Sequence, residues 1–514
     1  MDFVRSCGTL VHPTSFPSDF AIGDLGKGAY GFIDFLEQTN QAIWQILPLG
    51  PTGFGNSPYA SYSAFAGNPY LVSPEMLKEK GLLTEEELAP ARVSQSDKTD
   101  YEKAYEIKDR LLSIACKRFY ERDDADEQRQ FKAFKQENSE WLDDYVLFMA
   151  CLIDNGRKPW NQWDKALAKR EKKALDNAKK QLNETVDAQY WVQFEFFNQW
   201  MSLRKYANER SIKIIGDIPI FVDHNSADVW ANKEYFEVDE TGNRLLVAGV
   251  PPDYFSDTGQ LWGNPLYRWK KLENKGYKWW IDRFRQMFHM FDAIRVDHFR
   301  GFDAYWEVAA DAETAQNGRW VKGPGEKLFV AIEKELGKLP IIAEDLGVIT
   351  PSVVALRDRF NFPGMKVLQF AFDDPGNGFL PHNYTTSNCI VYSGTHDNDT
   401  SLGWYRQAPE KERNYLREYT RSDGSEVSWE LIRLGMLSVA NQAIFPLQDF
   451  MALDGEHRMN FPGTTENNWM WRYTDEMFQN VDQDKIRHII AISNRNFKDV
   501  RSDSNISDIE AEEA

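Results

Sequence analysis

Three carboxylates stand out because each follows a short, mostly apolar segment with the character of a buried strand. Asp297 ends residues 293–297, Glu344 ends residues 341–344, and Asp397 ends residues 390–397. In a barrel of parallel strands, residues at the carboxyl ends gather around one mouth, where the chemistry occurs. Two acidic side chains there, flanked by aromatic loops, suit cleavage of a glycosidic bond, because one can attack while the other moves the proton.

This chemistry requires opposite charge states of Asp297 and Glu344. Side chains alternate along a strand, so Arg295 and Asp297 share a face, and the guanidinium should keep Asp297 ionised as a nucleophile must be. A purely structural ion pair explains the same spacing. Glu344 follows an apolar stretch, and burial there would raise its pKa and allow it to act as a general acid. The adjacent Asp345 points to the other face and is interpreted as structural.

Other polar residues lie near these strand ends. Asp397 could grip substrate hydroxyls and favour a positively charged transition state, or the Asp397-Asn398 pair could simply cap a helix. Asp217 ends another strand, and we expect it to pair with Arg295 or with a sugar hydroxyl. His298 is a natural donor to sugar oxygens, although a lone His is more often structural. The sequence contains no HxH or HExxH spacing around these acids, so we predict no metal site and no cofactor.

Short apolar runs alternate with amphipathic helical segments, which predicts an α/β fold of the (β/α)8 TIM-barrel type with helical and loop insertions. The eight candidate strands are residues 8–12, 42–47, 212–217, 293–297, 340–344, 365–370, 389–393 and 442–446. The clearest helical patterns lie at residues 29–38, 190–207, 277–291 and 325–336.

Two intervals interrupt this alternation within what we interpret as one catalytic barrel over residues 1–514. Residues 72–189 are rich in Glu, Lys and Asp at helical spacing and are predicted to form a mostly helical insertion. Residues 221–271 are rich in Pro, Gly, Trp and Tyr. A loop-rich insertion of this length is usually functional, so we expect it to lie over the active-site cleft.

Composition narrows the possible functions. The chain has 514 residues, 42% of them hydrophobic. It contains 60 Lys and Arg residues and 79 Asp and Glu residues, so its net charge is −19. This charge disfavours binding to nucleic acid or to an anionic membrane. The aromatic content of 14% suits stacking on the apolar faces of sugar rings, although large barrels also bury aromatic residues. The four cysteines form no CxxC pair, and the sequence shows neither a signal-peptide core nor a membrane-spanning stretch, so we expect a cytoplasmic enzyme.

Several motifs, in the same order along nearly the whole chain, resemble those of the 4-α-glucanotransferases, also called amylomaltases or disproportionating enzymes, in their compact bacterial form. The motifs around the acids are Ile294-Arg295-Val296-Asp297-His298, Ala343-Glu344-Asp345-Leu346-Gly347, Gly394-Thr395-His396-Asp397-Asn398 and Ile215-Gly216-Asp217-Ile218-Pro219. Further motifs include His12-Pro13-Thr14-Ser15, Ser57-Pro58-Tyr59, Pro251-Pro252-Asp253-Tyr254-Phe255, Trp262-Gly263-Asn264-Pro265 and Arg458-Met459-Asn460-Phe461-Pro462-Gly463.

The resemblance implies a retaining transferase that moves α-1,4-glucan segments between maltooligosaccharides. By motif, Asp297 would be the nucleophile, Glu344 the acid/base and Asp397 the transition-state stabiliser. The loop at residues 249–263 would arch over the cleft. The residues expected to bind substrate are Tyr59, Asp217, Arg295, His298, His396, Tyr254, Phe255, Asp257, Trp262, Asn264 and Pro265.

The partners implied by the resemblance are maltooligosaccharides, amylose-type glucans and glucose, with no nucleic acid and no membrane; the oligomeric state stays open. Two alternatives also remain open from the residues. One is an α-amylase-like hydrolase with the same three carboxylates, and the other is a non-catalytic glucan-binding protein built on a barrel.

Overall fold

Eight parallel strands form a nearly closed barrel in a computed structural model that describes residues 3–252 and 256–496. The strands are β1 (Ser6–Leu10), β2 (Ile43–Gln45), β3 (Lys213–Pro219), β4 (Ala293–Asp297), β5 (Ile341–Ala343), β6 (Gly364–Val367), β7 (Cys389–Tyr392) and β8 (Gln442–Pro446). Strands that follow each other in the chain pair with each other, and β8 pairs with β1, but β5 and β6 do not pair, so the sheet order begins at β6 and ends at β5. The prediction of a (β/α)8 barrel is therefore confirmed.

The barrel strands are buried on both faces, as expected for parallel strands covered by helices. The register between the strands determines which residues lie side by side at the candidate site. Asp217 on β3 lies opposite Arg295 on β4, and Pro219 lies opposite Asp297. Val296 pairs with Ala343 on β5, so the carboxyl ends of β4 and β5 place Asp297 and Glu344 side by side.

The seam between β5 and β6 closes the barrel with few bonds. The backbone N–H of Ala343 donates to the carbonyl of Pro363 at 2.9 Å. Asp345 reinforces the seam, because its carboxylate accepts from the backbone N–H of Met365 at 2.7 Å and from Arg357 at 2.6 Å. The structural interpretation of Asp345 is confirmed.

Helices surround the barrel and fill the long connection between β2 and β3. Those in the connection are Pro74–Glu79, Glu85–Leu88, Tyr101–Glu121, Ala125–Glu137, Ser139–Asp154, Lys165–Ala168, Lys172–Gln181 and Asn183–Glu209. The others are Lys27–Gln38, Ala227–Ala231, Trp269–Asn274, Lys278–Met290, Glu326–Leu336, Pro351–Arg359, Ser401–Gln407, Glu410–Thr420, Val427–Leu437, Leu447–Phe450, Asp475–Gln479 and Gln483–Ile492. Their apolar faces share one large core with the barrel strands.

A second, antiparallel sheet of four strands is assembled from the connections after β3 and β4. It consists of Leu246–Val250, Gln260–Pro265, Ala304–Ala309 and Arg319–Lys322, and is called the small sheet below. Its two middle strands, Leu246–Val250 and Ala304–Ala309, pair with each other. Because the first precedes β4 and the second follows it, the small sheet joins the connections on both sides of β4. The small sheet therefore extends from the carboxyl ends of the barrel strands.

The described cysteines, Cys7, Cys116, Cys151 and Cys389, are all buried free thiols. Among the helices that the structure describes, none has both the length and the apolar character required to cross a bilayer.

Candidate active site

Arg295 is the central cation of the site. Its side chain is 4% exposed, and its guanidinium donates to Oδ2 of Asp217 through one nitrogen and to Oδ1 of Asp297 through the other, the latter at 2.7 Å. The expected pairing of Asp217 with Arg295 is confirmed. Burial and the charge of Asp297 raise the pKa of Asp217 to about 7 despite the neighbouring guanidinium. One buried guanidinium thus donates hydrogen bonds to carboxylates on two adjacent strands.

Glu344 sits in a cradle of backbone N–H groups. Its Oε2 accepts from the N–H of His298 at 2.7 Å, and its Oε1 accepts from the N–H of Leu346 at 2.8 Å. Burial, together with the charge of Asp297, raises the pKa of Glu344 to about 7, although Arg295 and the two backbone donors oppose the shift. Near neutral pH the protonated and the ionised carboxyl are therefore both populated, as acid/base catalysis requires.

Asp397 is held from three directions. Asn460 donates from Nδ2 to Oδ1 at 2.7 Å, and Nε2 of His396 lies 3.3 Å from Oδ2. Arg458 donates to the backbone carbonyl of Asp397 at 2.6 Å. Asn398, in contrast, accepts from the backbone N–H of Thr395, so Asn398 rather than Asp397 stabilises the local turn. The Asp397 carboxylate is fixed in place but remains partly exposed.

Aromatic rings form one wall of the site. Tyr59 donates its hydroxyl to Oδ2 of Asp217 at 3.0 Å, and its ring stacks on His396 with centroids 5.1 Å apart and an interplanar angle of 12°. Trp469 contacts both rings, with centroids 5.8 Å from Tyr59 and 5.9 Å from His396. This wall links the Asp217 side of the site to the Asp397 side.

His298 and Trp262 form a second ring contact at the site. The Trp262 ring meets the His298 ring edge to face, with centroids 4.8 Å apart, and its side chain is 39% exposed. Burial lowers the pKa of His298 to about 3, and the nearby charge of Arg300 acts in the same direction. The imidazole is therefore neutral at physiological pH and has one N–H to donate and one nitrogen to accept with.

Comparison with known proteins identifies the group to which this arrangement belongs. Residues 11–478 match the family model described as 4-alpha-glucanotransferase, glycoside hydrolase family 77. The chain belongs to the 4-alpha-glucanotransferase family.

Relatives with high sequence identity cover nearly all of the chain. It is 50% identical to the 4-alpha-glucanotransferase of Thermus thermophilus over 480 residues, which is 92% of this chain and 95% of that protein. It is 51% identical to the 4-alpha-glucanotransferase of a Synechocystis species over 473 residues, 91% of this chain and 94% of that protein. The chain also matches the solved structure of the amylomaltase from Streptococcus agalactiae in complex with acarbose, with a TM-score of 0.93 and 39% sequence identity. The match covers 96% of this chain and 100% of the amylomaltase chain. The predicted family is confirmed, and with it the assignment as a transferase enzyme.

The structure brings together nine of the residues that the sequence singled out. Contacts join Tyr59, Asp217, Arg295, Asp297, His396 and Asp397 in one group and His298, Glu344 and Trp262 in another, and the two groups meet where His298 follows Asp297 in the chain. Asn264 uses its side-chain amide differently, donating from Nδ2 to the carbonyl of Val222 at 3.0 Å. Pro265 is buried and pairs with Val247 within the small sheet. Asp257 is an exposed residue whose backbone carbonyl accepts from Gln316. Tyr254 and Phe255 lie outside the described residues.

Three further residues at the site were not predicted to act there: Arg458, Asn460 and Trp469. They come from one segment that follows β8 and is distant in sequence from Asp397. The motif that begins Arg458-Met459-Asn460 marks part of this segment, but it does not indicate the contact with Asp397, and Trp469 lies outside it. Among the described residues, no grouping of three or more His, Cys, Asp or Glu side chains is arranged to hold a metal ion.

Proposed function

We propose that this enzyme transfers α-1,4-glucan segments between maltooligosaccharides, amylose-type glucans and glucose by a retaining double displacement. The observation that carries the proposal is the different environment of two carboxyls on neighbouring strands. Asp297 contacts the Arg295 guanidinium at 2.7 Å, whereas burial and adjacent negative charge raise the pKa of Glu344 to about 7. One group is suited to attack and the other to carry a proton.

In the first displacement, Asp297 attacks the anomeric carbon while Glu344 protonates the departing glycosidic oxygen. The bond from the anomeric carbon to that oxygen breaks, a bond to the Asp297 carboxylate forms, and the leaving glucan takes the Glu344 proton. In the second displacement, Glu344 takes the proton of an incoming 4-hydroxyl, whose oxygen displaces Asp297. Two inversions give net retention.

Asp397 is proposed to stabilise the positive charge that develops on the sugar ring in each transition state. Asn460 and His396 fix one oxygen each, so the carboxylate does not have to reorganise when the charge appears. Tyr59, Asp217, Arg295, His298 and His396 are proposed to line the subsite of the glucose at the cleaved bond. The acarbose complex of the Streptococcus agalactiae amylomaltase supports oligosaccharide binding in this family.

Trp262 and Asp257, with Tyr254 and Phe255, are proposed to bind the acceptor. Asn264 and Pro265 stay proposed as substrate-binding residues with no side of the cleaved bond assigned. A sugar must compete with abundant water for the covalent intermediate. A well-oriented hydroxyl can reach an effective molarity of about 10⁵ M or more, so positioning of the acceptor decides the outcome. The indole of Trp262, next to His298 and partly exposed, supports a role in holding the acceptor.

One incubation tests the proposal against its rivals. The protein is mixed with maltotriose, and the products are resolved by chain length while reducing ends are counted. Glucose together with chains longer than maltotriose, at a constant number of reducing ends, supports the transferase. A steady rise in reducing ends would indicate an α-amylase-like hydrolase, and binding without new products would indicate a non-catalytic glucan-binding protein.

A further inference from the structure

A cavity lies behind Asp397, at the carboxyl ends of β1, β7 and β8. Its polar wall includes His12, Thr395, His396, Arg458 and Trp471. The remainder of its lining is mixed: Leu10, Val11, Leu47, Pro446 and Met459 are apolar, and Ser15, Asn398, Asp399, Thr400 and Gln448 are polar. His12 and Trp471 are each 4% exposed, so their polar atoms are removed from bulk solvent.

Two buried polar atoms on this wall have no hydrogen-bond partner among the described residues. They are Nδ1 of His12 and Nε1 of Trp471. Leaving a buried donor or acceptor unsatisfied costs about 1–3 kcal/mol, so native proteins pair such atoms with protein groups or ordered water. The cavity offers about 30 Å³ to the centres of water molecules, whereas about 10–15 Å³ is enough for one. The site is thus both polar enough and large enough for water.

His396 connects this cavity to the proposed catalytic machinery. Its Nε2 lies 3.3 Å from Oδ2 of Asp397, and we therefore assign the proton of the neutral ring to Nε2, facing this carboxylate. Burial lowers the pKa of His396, so the neutral form dominates at physiological pH. Nδ1 is then an acceptor, and a hydrogen bond donated to it would favour this tautomer and orientation.

We propose that the cavity is a water site that joins His12 and Trp471 to His396, and that His12 is a positioning residue for Asp397. Water bound there satisfies Nδ1 of His12 and the indole N–H of Trp471 and orders the imidazole of His396. That imidazole in turn holds Oδ2 of Asp397, while Asn460 holds Oδ1. The positioning role rests on the proposed function, because it matters only if Asp397 stabilises the transition state.

Hydration is tested by a high-resolution crystal structure of the unaltered protein. The expected result is at least one ordered water within hydrogen-bond distance of both His12 and a second polar group of the wall. A dry cavity, or water that contacts neither His12 nor Trp471, would overturn the proposal. This measurement does not depend on activity, so it separates failure of the water site from failure of the proposed function.

The positioning role is tested with His12→Leu and His12→Asn, measured by maltotriose transfer. Leucine removes both ring nitrogens, and we expect kcat to fall about 10- to 100-fold with KM within about twofold, because a misplacement of about 1 Å can cost about 100-fold. Asparagine keeps a polar group near the position of Nδ1, and we expect it to restore most of kcat. If the two variants lose equal kcat, or neither loses more than about threefold, His12 does not position Asp397.

Trp471→Phe provides a second route to the same site if His12→Leu does not fold. This change removes the indole N–H and keeps an aromatic ring. We expect loss of the water next to residue 471 in the crystal structure and a fall in kcat of about threefold or more, again with little change in KM. Retention of that water at full kcat would contradict the proposal.

Discussion

His298 and Glu344 are joined by a backbone hydrogen bond of 2.7 Å, from the N–H of the first to Oε2 of the second. His298 adopts left-handed backbone angles, with φ 50° and ψ 49°, which are uncommon for a residue with a side chain. This conformation turns its N–H towards β5 at the point where the chain leaves Asp297. The segment that carries the proposed nucleophile therefore also orients the proposed general acid.

Removal of either proposed catalytic carboxyl should abolish most transfer. We expect Asp297→Ala and Glu344→Ala each to lower kcat/KM for maltotriose by at least about 1000-fold, because each loses a group that reacts in the transition state. Glu335→Gln removes one charge from an exposed position and is expected to leave the rate unchanged. Losses of only about tenfold would mean that the two roles are misassigned.

The pH profile should reveal the raised pKa of Glu344. A general acid acts in its protonated form, so kcat/KM should fall as the pH rises through about 7. Asp217 has a pKa raised to a similar value and shares Asp297 as a neighbour, so the measured limb belongs to coupled groups. In Asp217→Asn the limb should persist at lower overall activity. Disappearance of the limb in that variant would assign it to Asp217.

Trp262→Ala should raise the ratio of hydrolysis to transfer. The indole contacts His298 beside the reacting groups, and its loss would weaken acceptor binding and admit water. The ratio is measured with maltotriose as reducing ends formed per glucan transferred. Trp320→Ala is a matched control, since Trp320 is a similarly exposed indole on the far strand of the small sheet. An unchanged ratio in Trp262→Ala would rule out this role.

The two carboxyls should lie about 5–5.5 Å apart when substrate is bound, as retaining enzymes require. The glycosidic bond formed by transfer should then keep the α-configuration of the donor bond, which proton NMR of the products can show. Formation of a β-linkage, or a separation of about 6.5–9.5 Å, would indicate a single displacement by an activated hydroxyl.

The seam between β5 and β6 should contribute measurably to stability. Asp345→Ala removes the acceptor for Arg357 and for the N–H of Met365, and we expect unfolding to become easier by about 3 kcal/mol. Asp358→Ala is the control, because it removes an exposed carboxylate from the same arginine and should change stability by about 0.5 kcal/mol or less. Urea unfolding measures the free energy of unfolding of both variants. Equal losses would show that the hydrogen bonds of Asp345 at the seam do not stabilise the barrel more than an exposed ion pair does.

The barrel was predictable because parallel buried strands have a strong local signature. All eight strands form where apolar runs were recognised, with small shifts at their ends. The first strand ends at Leu10 rather than at residue 12, because Pro13 begins a 3₁₀ turn. The sixth ends at Val367, and Leu368–Phe370 turn into a 3₁₀ helix that apolar composition alone does not distinguish from a strand.

The contacts of the site were only partly predictable. The pairing of Arg295 with Asp297 follows from alternation along one strand, and that of Asp217 follows from adjacent strand ends. The hydrogen bonds from Asn460 and Arg458 to Asp397 depend instead on how the segment after β8 packs against the carboxyl ends of the barrel strands. No local pattern encodes such a contact, and the same is true of the backbone cradle that holds Glu344.

The seam has a consequence for how the enzyme fails on heating. Glu344 is the residue that directly follows β5, one of the two strands that meet there, and few bonds hold those strands together. Thermal separation of this pair would displace the proton-carrying group while the surrounding helices are still intact. Inactivation on heating should consequently precede the loss of helical circular dichroism. An engineered covalent cross-link between β5 and β6 should delay inactivation more than it delays unfolding.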